Sequence, residues 1–336
     1  MWGRSLLGPS IIQNNSQKPV KAPVALIIFN RPEATRQVIE VLRKARIENL
    51  FVIADGPRVD VADDIDLCNK TRLVIDEIDW PCEVHRRFLN ENMGCGHGPA
   101  KGLDWVFEQV DRCIILEDDC IPDASFFSYC NELLEVYAND ERVMMISGNN
   151  HLLGKASIVD SYCFSINTQT HGWATWSRAW NKFDFYIQDW PKLRSLKWLT
   201  HYLGNYRYAK GWFTTFDEVF EEARVNPRCS YWDFQWTYAC WKNSALNIIP
   251  AVNLVTNVGY GDDATHPTPI DHPLAGLPAH EISFPLRHPV GITRNYEVDI
   301  ALRETVFGHR PIYQKVLRKL IRVGRNFFSH FDQKSK

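Results

Sequence analysis

The sequence predicts an α/β fold with a doubly wound sheet, on three observations. Short apolar runs rich in β-branched residues alternate with segments of helical periodicity through the first 150 residues. The run Cys113-Ile114-Ile115-Leu116 is short, apolar and β-branched, so it reads as a strand buried on both faces, as in parallel sheets covered by helices. The carboxyl ends of the runs carry Asn, Asp, Glu and Gly, and open α/β sheets bind their ligands beyond those ends.

Val24-Ala25-Leu26-Ile27-Ile28-Phe29 is the first strand. It ends at Asn30-Arg31-Pro32, and Thr35 to Ala45 then carries helical spacing. Leu50 to Ala54 is the second strand, ending at Asp55-Gly56, and Cys68 to Ile78 reads as a helix. Glu83 to Phe88 is the third strand. A glycine-rich loop, Gly94-Cys95-Gly96-His97-Gly98, precedes a helix from Pro99 to Val110. Cys113-Ile114-Ile115-Leu116 is the fourth strand. Such alternation implies right-handed crossovers. Ser125 to Tyr137 looks helical with Asp123 as its cap, and Val143 to Gly148 is another strand.

The pattern then loses its regularity. Residues from Tyr162 to Asn243 are rich in Trp, Phe and Tyr, Asn247 to Val258 is strand-like, and loops dominate 261–310. From Pro311 to Phe331, apolar residues recur at helical spacing among Lys and Arg. Such a basic amphipathic helix suits an anionic membrane surface or docking on its own domain.

A formal net charge of -2 gives no overall field for nucleic acid. Nine cysteines without a CxxC spacing argue against a disulfide framework or zinc cluster and suggest a reducing cytoplasm. No run of about 18 apolar residues is present to span a membrane. The expected location is therefore cytoplasmic, with the last helix as the means of peripheral membrane contact.

The fourth strand runs straight into Glu117-Asp118-Asp119. Three adjacent carboxylates repel one another unless positive charge sits between them. Hard oxygen ligands suit Mg²⁺ or Mn²⁺, here shared with a diphosphate. This reading requires the acids to face a cavity rather than be consumed by arginine pairs.

Three segments in order give the chain a family resemblance. They are Ile115-Leu116-Glu117-Asp118-Asp119-Cys120-Ile121-Pro122-Asp123-Ala124-Ser125-Phe126-Phe127, His171-Gly172-Trp173-Ala174-Thr175-Trp176 and Tyr231-Trp232-Asp233-Phe234-Gln235-Trp236. Together, from about residue 23 to 265, they resemble GT-A-fold glycosyltransferases of the N-acetylglucosaminyltransferase I type and its bacterial relatives. The resemblance implies a mixed, Rossmann-like sheet flanked by helices. It implies Asp119 as metal ligand, Glu117 and Asp118 on the ribose or sugar side of a UDP-sugar donor, and Asp233 as the base of an inverting reaction. A late histidine, His266, adds a nitrogen ligand to the metal or is a surface residue. A glycan or lipid-linked acceptor is implied, and the loops differ from the family's in length and composition. The chain then divides into a leader (1–22), a nucleotide-sugar half (23–150), an acceptor half (151–310) of the same domain, and the basic helix (311–336).

Each further candidate has a plain alternative. Asn30, Arg31 and Asp55 lie where a nucleotide-binding sheet contacts its ligand, yet Asp55-Gly56-Pro57 is also good turn chemistry. Lys101 either touches phosphate or sits in water. Gly172, Trp173 and Trp176 either stack on an acceptor sugar or belong to an aromatic core. Asp233 is either the base or a cap for the following helix. The rival functions are a sugar-phosphate nucleotidyltransferase and an inactive carbohydrate-binding protein. The first usually has a glycine-rich loop after its first strand, which Asn30-Arg31-Pro32-Glu33-Ala34 is not.

Overall fold

The computed structural model describes residues 21–259 and 272–307. Its strands are β1 (Val24–Ile28), β2 (Asn49–Ala54), β3 (Glu83–Phe88), β4 (Arg112–Glu117), β5 (Cys120–Pro122), β6 (Val143–Ser147), β7 (Tyr162–Ser165), β8 (Trp173–Trp176), β9 (Leu246–Pro250) and β10 (Val255–Asn257). Its α-helices are α1 (Pro32–Ala45), α2 (Asp64–Val74), α3 (Gly94–Phe107), α4 (Ala124–Val136), α5 (Ser177–Trp180), α6 (Trp190–Ser195), α7 (Trp198–Leu203), α8 (Tyr206–Val225), α9 (Asp233–Lys242) and α10 (Tyr296–Phe307).

Eight strands form one mixed sheet in the order β3-β2-β1-β4-β8-β6-β9-β7. β1 runs parallel to β2 and β4, and β2 parallel to β3. β8 is inserted antiparallel between β4 and β6. The sheet crosses residue 150 without a break, so both halves of the chain share it. This is the mixed α/β sheet flanked by helices that the sequence leads one to expect. β5 and β10 pair as a short antiparallel ribbon beside it.

Both sheet faces are buried, and the period of two shows it. Val24, Leu26, Ile114 and Leu116 pack on one face with Val38 and Leu42 of α1 and Phe126 and Leu133 of α4. Ala25, Cys113 and Ile115 point the other way, against Leu103 and Val106 of α3 and the tryptophan-rich segment. α4 starts at the expected cap: the Asp123 carboxylate accepts from the Ser125 amide at 2.8 Å.

Three expectations change. The glycine-rich stretch is not a loop ahead of a helix; α3 begins at Gly94 and includes it. Gly96 donates its amide to the Cys229 carbonyl at 2.9 Å, so a foreign backbone lies against that first turn. Within 261–310, residues 296–307 form α10, whose Val298 and Leu302 are buried against Ile249. The aromatic region is an extensive helical core: Trp173, Trp180, Trp232 and Trp236 make ring contacts at 5.4–6.4 Å. The basic helix at 311–331 lies outside the described residues, as does nearly all of the leader. Among the described residues no helix is long and apolar enough to cross a membrane.

Candidate functional site

β1, β2 and β4 are parallel, so their carboxyl ends open on one edge of the sheet. A cavity of about 390 Å³ lies there. Ile28, Phe29 and Arg31 come from the end of β1, Asp55 and Arg58 from the end of β2, and Glu117 and Asp118 from the end of β4. The opposite wall is built by Gly94, Cys95 and Gly98 of α3, by Thr170 and His171, and by Arg228, Ser230, Trp232 and Asp233.

Among the described residues, Arg31 is the cation paired with the acid cluster. Arg31 Nη1 donates to Asp118 at 3.1 Å and to Asp119 at 2.9 Å. The Phe29 amide donates to the second Asp118 oxygen at 3.1 Å. Glu117 makes no side-chain hydrogen bond among the described residues. Burial first, and then Asp119, Asp118 and Asp233, push the Glu117 carboxyl up to about 8. Burial and Asp119 push Asp118 up to about 6, against the pull of Arg31. Asp119 is 8% exposed and does not line the cavity. Its Oδ1 receives only long contacts, from Asn257 Nδ2 and the Cys120 thiol, both at 3.5 Å. The chain runs so close at Gly259 that a Cβ there would lie 1.9 Å from Asp119 Oδ2, so that position admits only glycine without movement.

The expectation that the acids avoid arginine is therefore corrected. Two of them share Arg31, because the nearest cation at the end of β1 offsets part of their repulsion. In donor type alone, carboxylate oxygens are the ligands that suit a hard dication. No group of three or more His, Cys, Asp or Glu arranged to hold a metal occurs among the described residues. Further ligands would have to come from elsewhere, such as a diphosphate. His266 lies outside the described residues.

Asp55 lines the cavity with both oxygens already engaged. Oδ1 accepts from the Gly56 and Met93 amides, each at 2.9 Å. Oδ2 accepts from the Gly94 amide at 2.9 Å and from Asn92 Nδ2 at 3.0 Å. It thus ties the end of β2 to the start of α3, and the turn reading of Asp55 accounts for these bonds. Asn30 does not line the cavity: its Nδ2 donates to Asp64 at 2.7 Å. Asp64, 1% exposed, also takes a two-pronged bond from Arg58, with both N···O distances 2.9 Å. That Arg58 bond, first among its causes, holds the Asp64 carboxyl below its usual range. Arg58, which lines the cavity with Arg31 and Arg228, is steadied by Asp64, to which Asn30 also donates. Arg228 stands across from it, 3.7 Å from Asp60.

Lys101 points to Asp104 at 3.1 Å on the exposed side of α3 and does not line the cavity. Trp173 and Trp176 are 0% and 3% exposed, and Trp176 Nε1 donates to the Leu134 carbonyl at 3.0 Å. Both are core residues, so neither ring has a face open for a sugar. Gly172 is needed for its backbone. Its φ of +80° is a left-handed conformation, and a Cβ would meet Val255 at 2.7 Å. Asp233 is the first residue of α9 and lines the cavity, while Trp232 holds the cap position. Asp233 and Glu117 are close enough to raise the Glu117 carboxyl.

Sequence reasoning missed Arg58, Asn92, Thr170 and Arg228, and left His171 without a role. Arg58 had a signal, four residues beyond the end of β2. The others arrive from segments whose position depends on tertiary packing.

No protein-family model matches the chain, and no curated protein matches it. Among solved structures it is similar to a UDP-glucose pyrophosphorylase complexed with UDP-glucose, at 10% identity and TM-score 0.25, covering 43% of this chain and 62% of that one. It is also similar to mouse xyloside xylosyltransferase 1, at 11% identity and TM-score 0.30, covering 65% of this chain and 81% of that one. These likenesses are distant, and the functional argument rests on the cavity.

Proposed function

We propose that the protein is a metal-dependent glycosyltransferase, moving a sugar from a UDP-sugar donor to a hydroxyl of a glycan or lipid-linked acceptor with inversion. The observation that carries this reading is the placement of two kinds of acid around one cavity. Glu117 and Asp118 close the end of β4, and Asp233 faces them from the start of α9. Transfer from a nucleotide sugar needs these two functions: charge stabilisation at a departing diphosphate and proton removal from an acceptor hydroxyl.

In this reading the nucleoside lies along the ends of β1 and β2, between Phe29 and the α3 turn that Asp55 holds. Arg58 and Arg228 face its phosphates. Asp119, with Glu117 or Asp118, would hold Mn²⁺ or Mg²⁺ in place of the bonds that Asp118 and Asp119 now accept from Arg31. Such an ion, when bound, supplies Lewis-acid charge to the leaving diphosphate. Asp233 takes the acceptor proton. UDP-N-acetylglucosamine is the first donor to try, on the family resemblance.

Against a nucleotidyltransferase we set the short, glycine-free link of residues 29–31 between β1 and α1. The test is a panel of UDP-sugars with Mn²⁺, followed by UDP release and product formation. The expected result is transfer or slow hydrolysis by the wild type. Asp233→Asn should lower turnover by roughly 10²–10⁴-fold while UDP binding is unchanged. UTP formation on adding pyrophosphate, or full activity in Asp233→Asn, would overturn the reading.

A further inference from the structure

Charge is unevenly spread over the helical half. The chain as a whole has 38 Lys and Arg against 40 Asp and Glu. From Trp190 to Phe216 it has Lys192, Arg194, Lys197, Arg207 and Lys210 and no acid. This stretch forms α6, α7 and the first half of α8. Its inner side is a firm aromatic core: Trp190 is buried against the rings of Phe213 and Phe216, at 5.8 and 5.3 Å, with Leu199, Leu203 and Trp212 in the same cluster. The five cations are left on the outside.

Among the described residues Arg194 pairs with Asp217 at 2.6 Å, while Lys192, Lys197, Arg207 and Lys210 form no ion pair. Helix stability does not account for where they sit. Arg207 and Lys210 occupy the first two turns of α8, where the helix dipole favours anions. The acids Asp217, Glu218, Glu221 and Glu222 follow in its second half. Apolar side chains stand among the cations: Leu196, next to Lys197, is 61% exposed, and Tyr206, next to Arg207, is 66% exposed. Arg303 of α10 adds a further cation, 5.3 Å over the Tyr208 ring and four residues before α10 ends at Phe307. The sequence beyond, 308–336, holds eight Lys or Arg and one acid. The described fold therefore hands the chain on to another basic stretch beside this surface.

We infer that α6, α7 and the start of α8 dock on an anionic lipid bilayer. Anionic headgroups present dense negative charge in a plane, and each Lys or Arg brought near them adds to binding. Leucine and tyrosine side chains among the cations suit the boundary between headgroups and acyl chains. A nucleic acid would use the same cations for its phosphates and leave Leu196 without a role. None of these residues lines the cavity. α8 runs 20 residues, about 30 Å, from this surface to the segment that carries Arg228 and Ser230 on the cavity wall. Bilayer docking and ligand binding are thus separable, and the inference does not depend on the proposed reaction.

The experiment sediments the full chain with vesicles of phosphatidylcholine alone and with about 30% phosphatidylglycerol added. The wild type should bind the anionic vesicles and not the neutral ones, and should be released as salt rises. The variant Lys192→Gln, Lys197→Gln, Arg207→Gln, Lys210→Gln should bind at least tenfold more weakly. The variant Leu196→Ser, Tyr206→Ser should also bind more weakly, by about threefold or more. Both should keep the wild-type melting temperature and UDP affinity. A third full-length variant, with Lys315, Arg318, Lys319, Arg322 and Arg325 each changed to Gln, separates this surface from the basic tail and should still prefer anionic vesicles. Wild-type binding that ignores lipid charge, wild-type-like vesicle affinity in either surface variant, or loss of all binding in the tail variant would overturn the docking surface. Tighter binding to single-stranded DNA than to anionic vesicles would overturn it in favour of nucleic acid.

Discussion

Asp55 shows how a residue can sit in a ligand cavity and still serve the fold. Its four accepted bonds join β2 to the first turn of α3. Asp55→Ala should therefore destabilise the protein by about 1–3 kcal/mol and weaken UDP binding together with it. Chemical denaturation and calorimetry on one sample check both; lost binding at unchanged stability would give Asp55 a direct ligand role instead. His151 gives the pH dependence. Burial first, then His171 and His272, bring its folded pKa down to about 3, below the ordinary value of 6.5, so the unfolded chain binds the extra proton between those two values. Its stability contribution is complete above pH 6.5 and is lost as pH falls toward 3. Between pH 6.5 and 5 the wild type should lose more unfolding free energy than His151→Asn. Parallel profiles would show that the ring is not buried neutral. At this scale the sequence disclosed the acids and Asp233 but not Thr170 or Arg228, whose segments reach the cavity only through tertiary packing.

Most elements of the first half were legible because β1, β2, β4 and β6 have apolar cores and α1 keeps its 3.6-residue period, whereas β3 (Glu83–Phe88) is a mostly polar, half-exposed edge strand. The Gly94–Gly98 stretch was misread because five residues with three glycines look like a loop. Contact with Cys229 and Asp55 overrides that low helix propensity. β7 and β8 are four residues each, too short to show a period inside an aromatic region. The segment His171-Gly172-Trp173-Ala174-Thr175-Trp176, which resembles an acceptor loop, runs from the cavity wall at His171 into the core at β8. β8 buries Trp173 and Trp176, and the residues just before it reach the cavity. Trp173→Ala should cost about 3–5 kcal/mol as a core truncation, measured by denaturant unfolding. A loss below 1 kcal/mol with weakened sugar binding would instead make it a stacking surface.

Across the whole molecule, one sheet joins both halves of the chain, and the cavity opens where β1, β2 and β4 end. Arg31 and Arg58 line it from the ends of β1 and β2, Glu117 and Asp118 from the end of β4, and Thr170 and His171 from the segment before β8. The central claim is that the acids work with a dication that Arg31 only partly replaces. Isothermal titration of UDP into the protein, once with Mn²⁺ and once with EDTA, tests it most directly. The account predicts clear binding with Mn²⁺ and at least a tenfold weaker affinity in EDTA, about 1.4 kcal/mol. Equal affinity under both conditions, or no UDP binding at all, would contradict it.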